Sequence, residues 1–218
     1  MDVQQISSPD ELEAVRAAVA EAETRSGGEI VAYVVARSDS YEEASYKAAV
    51  GGAVLSALAA GLAHGLGGLW GGWGVVWITL PALLGAALGW GLGTWWPALG
   101  RWLVDPETLE LRVARRAAVA FVEEEVFATR ERTGILIFLS LFEHRVEVLA
   151  DAGIHARAEG AVWKSLADEL AAGIRAGRAG QALIEAVERC GRLLEEGGVE
   201  RREDDPDELS DEVRLRDV

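Results

Sequence analysis

At 218 residues the chain has room for one good-sized domain or two small ones, and its net charge of −15 narrows the choice of partners. Phosphate backbones are held by Lys and Arg, so this charge argues against nucleic acid and against docking on anionic lipid by electrostatics alone. A single cysteine, Cys190, rules out an intramolecular disulfide framework and a Cys-based zinc site, and it fits a reducing compartment.

The chain opens on polar and acidic residues, the opposite of a basic leader followed by an apolar core, so no signal peptide is expected. Residues 8–25 read as an amphipathic helix. Ser8 and Glu11 have the spacing of a capping box, Leu12, Val15, Val19 and Ala22 recur at helical period, and Gly27-Gly28 stops it. Glu29 to Ala36 is a β-branched run of strand length, bounded by glycine and by Ser38-Asp39-Ser40. A further helix begins at residues 41–47.

From Ala48 to Gly100 there is no Asp, Glu, Lys or Arg. One bilayer crossing needs about 20 apolar residues, so the stretch suits two crossings with a turn where glycine concentrates, around Gly65 to Gly72. The expected helices are 48–66 and 73–96, the second containing Pro81, which a membrane helix tolerates. Trp70, Trp73, Trp95 and Trp96 fall near its ends, where indoles favour the interface. Gly85, Gly89 and Gly93 leave one face bare backbone, for close packing on the first helix or for a contact between two copies. Lys47, Arg101, Arg112, Arg115 and Arg116 flank the stretch while its loop offers only His64. The expectation is a multi-pass cell (inner) membrane protein with both termini cytoplasmic.

Beyond it, residues 106–130 read as one long helix, Ile135 to Leu141 as a fully buried strand, and Arg145 to Ala150 as a third strand after a short turn at Glu143-His144. That short turn implies an antiparallel hairpin, whereas the helix linking the first two strands makes them parallel. Helices follow at 157–173 and 178–194. From Glu195 the chain is charged and poor in apolar residues, and is expected to be disordered. The fold expected is α/β, a three-layer α/β/α sandwich with a small mixed sheet. It is built from 1–47 and 101–197 and interrupted by the transmembrane hairpin 48–100, with an acidic tail at 198–218.

Several segments carry a resemblance. They are Ala22-Glu23-Thr24-Arg25-Ser26-Gly27-Gly28-Glu29-Ile30, Thr129-Arg130-Glu131-Arg132-Thr133-Gly134-Ile135-Leu136-Ile137, Val148-Leu149-Ala150-Asp151-Ala152-Gly153-Ile154, Trp163, and Asp204-Asp205-Pro206-Asp207-Glu208-Leu209. In order and spacing these resemble the TPM domain family, in its bacterial membrane-associated branch. A departure is the hairpin inside the domain, where many relatives carry an anchor at one end. The resemblance implies an α/β/α sandwich of unsettled function. Some plant relatives are calcium-dependent acid phosphatases and others are assembly or repair factors for membrane complexes.

The phosphate-loop, His-Glu-x-x-His and Gly-x-Ser-x-Gly patterns do not occur, and the three histidines are scattered. Topology nonetheless gathers three residues. Glu29 precedes the first strand, Arg132 precedes the second, and Asp151 leaves the returning third, so all three reach one edge of the sheet. Either they form a structural salt bridge, or they bind a ligand. An Arg among carboxylates suits a phosphate or carboxylate ligand better than calcium, which only the resemblance suggests. The leading expectation is a membrane-tethered binding, scaffold or assembly domain for membrane-protein partners. The alternatives are a divalent-metal-dependent phosphatase and an oligomer formed through the glycine face of the second helix.

Overall fold

In a computed structural model, residues 9–67, 74–155, 160–199 and 209–216 are described. Ser8, residues 68–73 of the stretch where a turn is expected, and the acidic stretch 200–208 lie outside them. The chain divides into two compact units, Met1–Asp39 with Glu110–Val218, and Ser40–Leu109.

The first unit is built on a four-stranded mixed sheet of order β3-β2-β1-β4. Strands β1 (Glu29–Val35) and β2 (Gly134–Ser140) are parallel, from Glu29↔Gly134 to Val35↔Ser140. Strand β3 (Arg145–Ala150) runs antiparallel to β2, as the short turn requires. His144, at φ 52°, takes the left-handed conformation in that turn.

Every residue of β1 and β2 is buried, because their alternating side chains feed two separate cores. Ile30, Ala32 and Val34 join Ile135, Ile137 and Leu139 on one face. They pack on helices α1 (Pro9–Arg25), α7 (Gly160–Arg175) and α8 (Ala179–Glu196) through Val15, Val19, Leu166, Leu170, Val187 and Leu194. Val31, Tyr33 and Val35 join Leu136 and Phe138 on the other face, under Val113, Ala117 and Ala120 of helix α5 (Pro106–Glu123). Tyr33 and Phe138 stack with ring centroids 5.6 Å apart.

Two expectations are corrected. The helix expected over 106–130 stops at Glu123, and Glu125 turns left-handed at φ 53° before a 3₁₀ turn, Val126–Ala128. That break inserts Val126 into the second core. No glycine or proline announces it, because tertiary burial rather than propensity sets the stop. The C-terminus is not a free acidic tail throughout: Arg214–Arg216 forms β4, parallel to the edge of β1. Its pull is the unpaired backbone of β1, with Val213 and Leu215 packing against the first core. A short helix α6 (Ala152–His155) was also not expected.

The second unit holds α2 (Glu42–Gly67), α3 (Gly74–Trp95) and α4 (Pro97–Leu103). The helix begun at 41–47 does run on into the apolar stretch as one element. Two of these helices are long and apolar enough to cross a membrane, Glu42–Gly67 and Val75–Trp95. Leu55, Leu58, Leu62 and Leu66 are exposed on α2, as are Leu83, Leu84, Leu88 and Leu92 on α3.

The glycine face of α3 is occupied by α2. A Cβ at Gly89 would run into the backbone of Ala48, and one at Gly85 into Gly52 and Ser56. Ser45 and Thr94 hydroxyls meet at 3.1 Å along the same seam, and Tyr46 packs edge-on to Trp90. Within the chain this face packs along α2, the first of the two packings that the repeat allows. Replacing Gly89 by Leu should therefore lower the stability of the hairpin by about 1–3 kcal/mol, the usual cost of overpacking. Gly51→Leu, which meets open space, should be close to neutral. Thermal unfolding in detergent, followed by circular dichroism, distinguishes them, and equal midpoints would contradict the packing.

Candidate functional site

The edge of the sheet before β1 and β2 is a polar lattice made by the segments that carry the resemblance. Thr129 Oγ1 accepts the Thr133 N–H at 2.9 Å, Thr133 Oγ1 donates to the Gly27 carbonyl at 2.9 Å, and Glu29 N–H donates to the Thr133 carbonyl at 3.2 Å. Two glycines permit the close approach. A Cβ at Gly134 would strike the Val126 carbonyl, and one at Gly153 the carbonyls of Glu131 and Arg132.

Of the three residues expected together, the structure joins two. Arg132 grips Asp151 in a two-point ion pair, Nε to Oδ2 at 2.6 Å and Nη2 to Oδ1 at 2.9 Å. Asp151 is 5% exposed, and its Oδ1 also accepts the Ala152 N–H at 2.7 Å, starting α6. Arg132 is half exposed, lies 5.9 Å from the Phe127 ring, and holds a left-handed backbone at φ 59°. Glu29 takes a different partner: its Oε2 accepts the Leu209 N–H at 3.2 Å. It sits among acids. Glu23 Oε1 accepts the Ile30 N–H at 2.8 Å, and the Glu23 carboxyl meets Asp211. Burial, then Glu29 and Asp211, push Glu23 up to about 9, against the opposing pull of the Ile30 N–H.

The opposite edge carries a network that sequence reasoning missed. Glu143, 6% exposed, accepts the Ser38 N–H at 2.8 Å through Oε1 and the Ser140 hydroxyl through Oε2. Ser38 and Ser140 hydroxyls lie 2.8 Å apart, so with Ser140 donating to Glu143, Ser38 donates to Ser140. Ser140 is 0% exposed, so this ties two loops together and offers no nucleophile to solvent. Spacing could have flagged only Ser140 and Glu143. Ser38 arrives from the end of the parallel neighbour.

Beside Glu143 opens a cleft of ≈ 390 Å³ lined by His144, Arg145, Asp168 and Arg175. Arg145 leans to Glu110 at 3.2 Å. Cys190 is fully buried, and burial raises its thiol to about 12, so it is not a reactive group. Among the described residues no three His, Cys, Asp or Glu are grouped to hold a metal ion.

No protein-family model matches the chain, and no curated protein matches it. The fold resembles the NMR structure of the BA42 protein from the psychrophilic bacterium Bizionia argentinensis, with a TM-score of 0.59 at 15% identity. The match covers 98% of this chain and 97% of that one.

Two outcomes follow from this edge. Asp151→Ala strips a buried acceptor from both Arg132 and the Ala152 amide and should cost about 1–3 kcal/mol in unfolding free energy. Arg132→Ala leaves the buried Asp151 carboxylate without its cation and should cost at least as much, about 3 kcal/mol. A loss well under about 1 kcal/mol for Arg132→Ala in denaturant melts would contradict this pairing. Glu23 should also make stability depend on pH. Its folded value lies above the usual 4.5, so in that window the folded chain holds a proton that the unfolded chain has released. Its contribution is fully present below about 4.5 and lost as pH rises toward about 9. Glu23→Gln should raise the melting temperature at pH 8 by about 2–4 °C for each kcal/mol recovered, and leave it nearly unchanged at pH 4.

Proposed function

We propose that this chain is a membrane-tethered, TPM-like domain, a three-layer α/β/α sandwich that binds or scaffolds membrane-protein partners. The observation carrying the tether is the pair of long apolar helices whose leucines stay exposed around the hairpin. The two cores, one on each side of the sheet, support the sandwich. The basic residues outside the apolar stretch, Lys47 and Arg101 nearest to it, favour a hairpin in the cell membrane with both flanks cytoplasmic.

Binding is favoured over turnover by the state of the polar groups. Asp151 and Arg132 hold the start of α6, and Ser140 and Glu143 lock loops. The calcium-dependent phosphatase reading rests on the resemblance alone, and fold likeness does not transfer chemistry.

Full-length protein should stay in the membrane pellet through an alkaline carbonate wash, and deletion of 48–100 should release it. Extraction of the intact chain by carbonate would end the tether reading. In detergent, calcium with a generic phosphoester should give no turnover above background. Turnover abolished by Asp151→Asn or Glu29→Gln would replace the scaffold with an enzyme. A specific small ligand at 100 times its dissociation constant would add about 2.7 kcal/mol of stability, which a thermal shift reads directly.

A further inference from the structure

The cleft beside Glu143 draws opposite charges from two elements of the first unit. Its volume of ≈ 390 Å³ is that of a small-molecule site, and its lining is mostly charged. The β2–β3 turn supplies His144 and Arg145, and helix α7 supplies Asp168 and Arg175. Arg145 opens β3 opposite Ser140, so it stands at the end of the sheet with His144 beside it. Arg175 is the last residue of α7, and Asp168 lies two turns back, about 10 Å along the helix axis.

The turn side of the cleft is held from beneath. Glu143 gives both its oxygens to the Ser38 amide and the Ser140 hydroxyl, and the Ser38 hydroxyl closes the set. This buried network fixes the turn, in which His144 keeps a left-handed backbone at φ 52°. Sparsely populated backbone that buried contacts hold in place gathers at ligand sites. The charged groups above it are less committed. Asp168 and Arg175 are exposed, and among the described residues neither side chain has an ion-pair or hydrogen-bond partner. Arg145 reaches the exposed Glu110 carboxylate at 3.2 Å, a pair that water weakens and a ligand can displace.

Two guanidiniums suit an oxyanion, because the fork of an arginine meets phosphate or carboxylate through paired N–H bonds. The Asp168 carboxylate suits an ammonium. The charge of the whole chain decides between a plain anion and a zwitterion. At −15 its field repels anions, whereas a zwitterion feels little net force. The spacing of Asp168 and Arg175, shortened by the reach of both side chains, fits an oxyanion and an amine a few bonds apart. We propose that this cleft binds a phosphoethanolamine-type zwitterion, its phosphate held by Arg145 and Arg175 and its ammonium by Asp168. The same group occurs on a bilayer lipid and on soluble diesters, and the recognition chemistry is common to both. The site lies within the first unit and does not rest on the membrane or partner reading above.

Calorimetric titration of the full-length chain in detergent with glycerophosphoethanolamine tests it. Saturable binding with a dissociation constant below about 1 mM is expected. Glycerophosphoglycerol, which has the phosphodiester without the amine, should bind at least about tenfold more weakly. Arg175→Ala should weaken glycerophosphoethanolamine by at least about tenfold, the loss of one charge-assisted pair. Asp168→Asn should erase the preference for the compound that carries the amine. Both positions are exposed, so the two variants should melt with the wild type, and each decides without the other. No saturation by about 10 mM, equal affinity for the two compounds, or variants that bind as the wild type does would each overturn the site. Nanodiscs separate the two sources. Apparent affinity at least about tenfold lower in phosphatidylethanolamine discs than in phosphatidylcholine discs assigns the site to a lipid headgroup, and equal affinity assigns it to a soluble molecule. A chain that fails to enter either disc sinks the tether reading, while the detergent titration still decides the cleft.

Discussion

The first unit depends on two adjacent parallel strands that are buried on both faces. Parallel pairing between β1 and β2 leaves no solvent side, so each position must suit one core or the other, and both runs are nearly continuous apolar sequence. The alternation sorts Ile30, Ala32 and Val34 to one side and Val31, Tyr33 and Val35 to the other. From that sorting follow the helices required: α1, α7 and α8 to cover the first set, α5 to cover the second. Buried polar groups must then be satisfied at the strand ends, because nothing polar can sit between them.

The same parallel pairing demands a long connection, since two parallel strands cannot be joined by a tight turn. Here that connection includes the apolar unit. An insertion between two strands is tolerated because closing a longer loop costs little extra entropy. The two units solve different solvent problems. In the first, apolar side chains turn inward on a sheet. In the second, small residues face each other along α2 and α3, and the leucines stay outside.

Where the sheet ends, the two edges differ in character. The Ser38, Ser140 and Glu143 network is a closed set in which each donor has its acceptor. The edge before β1 combines an ion pair, Arg132 with Asp151, and a collection of acids, Glu23, Glu29 and Asp211, brought together at a cost in electrostatic repulsion. A carboxyl pushed up to about 9 marks a place where the fold sustains strain that an amide would not have.

Local patterns located most of the elements, though not β4, α6 or the break after Glu123. The two buried runs, the antiparallel turn at Glu143-His144, the uncharged stretch and the glycine repeat are all local patterns, and local patterns survive without knowledge of neighbours. The meeting of Arg132 with Asp151 was legible because strand direction decides which ends share an edge. Contacts between distant segments were not legible. The stop at Glu123 and the left-handed turn at Glu125 bring Val126 into the second core, and no residue type announces it. Glu29 turned to Leu209, and Glu23 met Asp211, because residues 209–216, at the end of an acidic, charged stretch, found an open strand edge. Sequence assigns a residue its preference for strand, helix or water. Only the folded chain offers the unpaired backbone and the half-filled core that can override it.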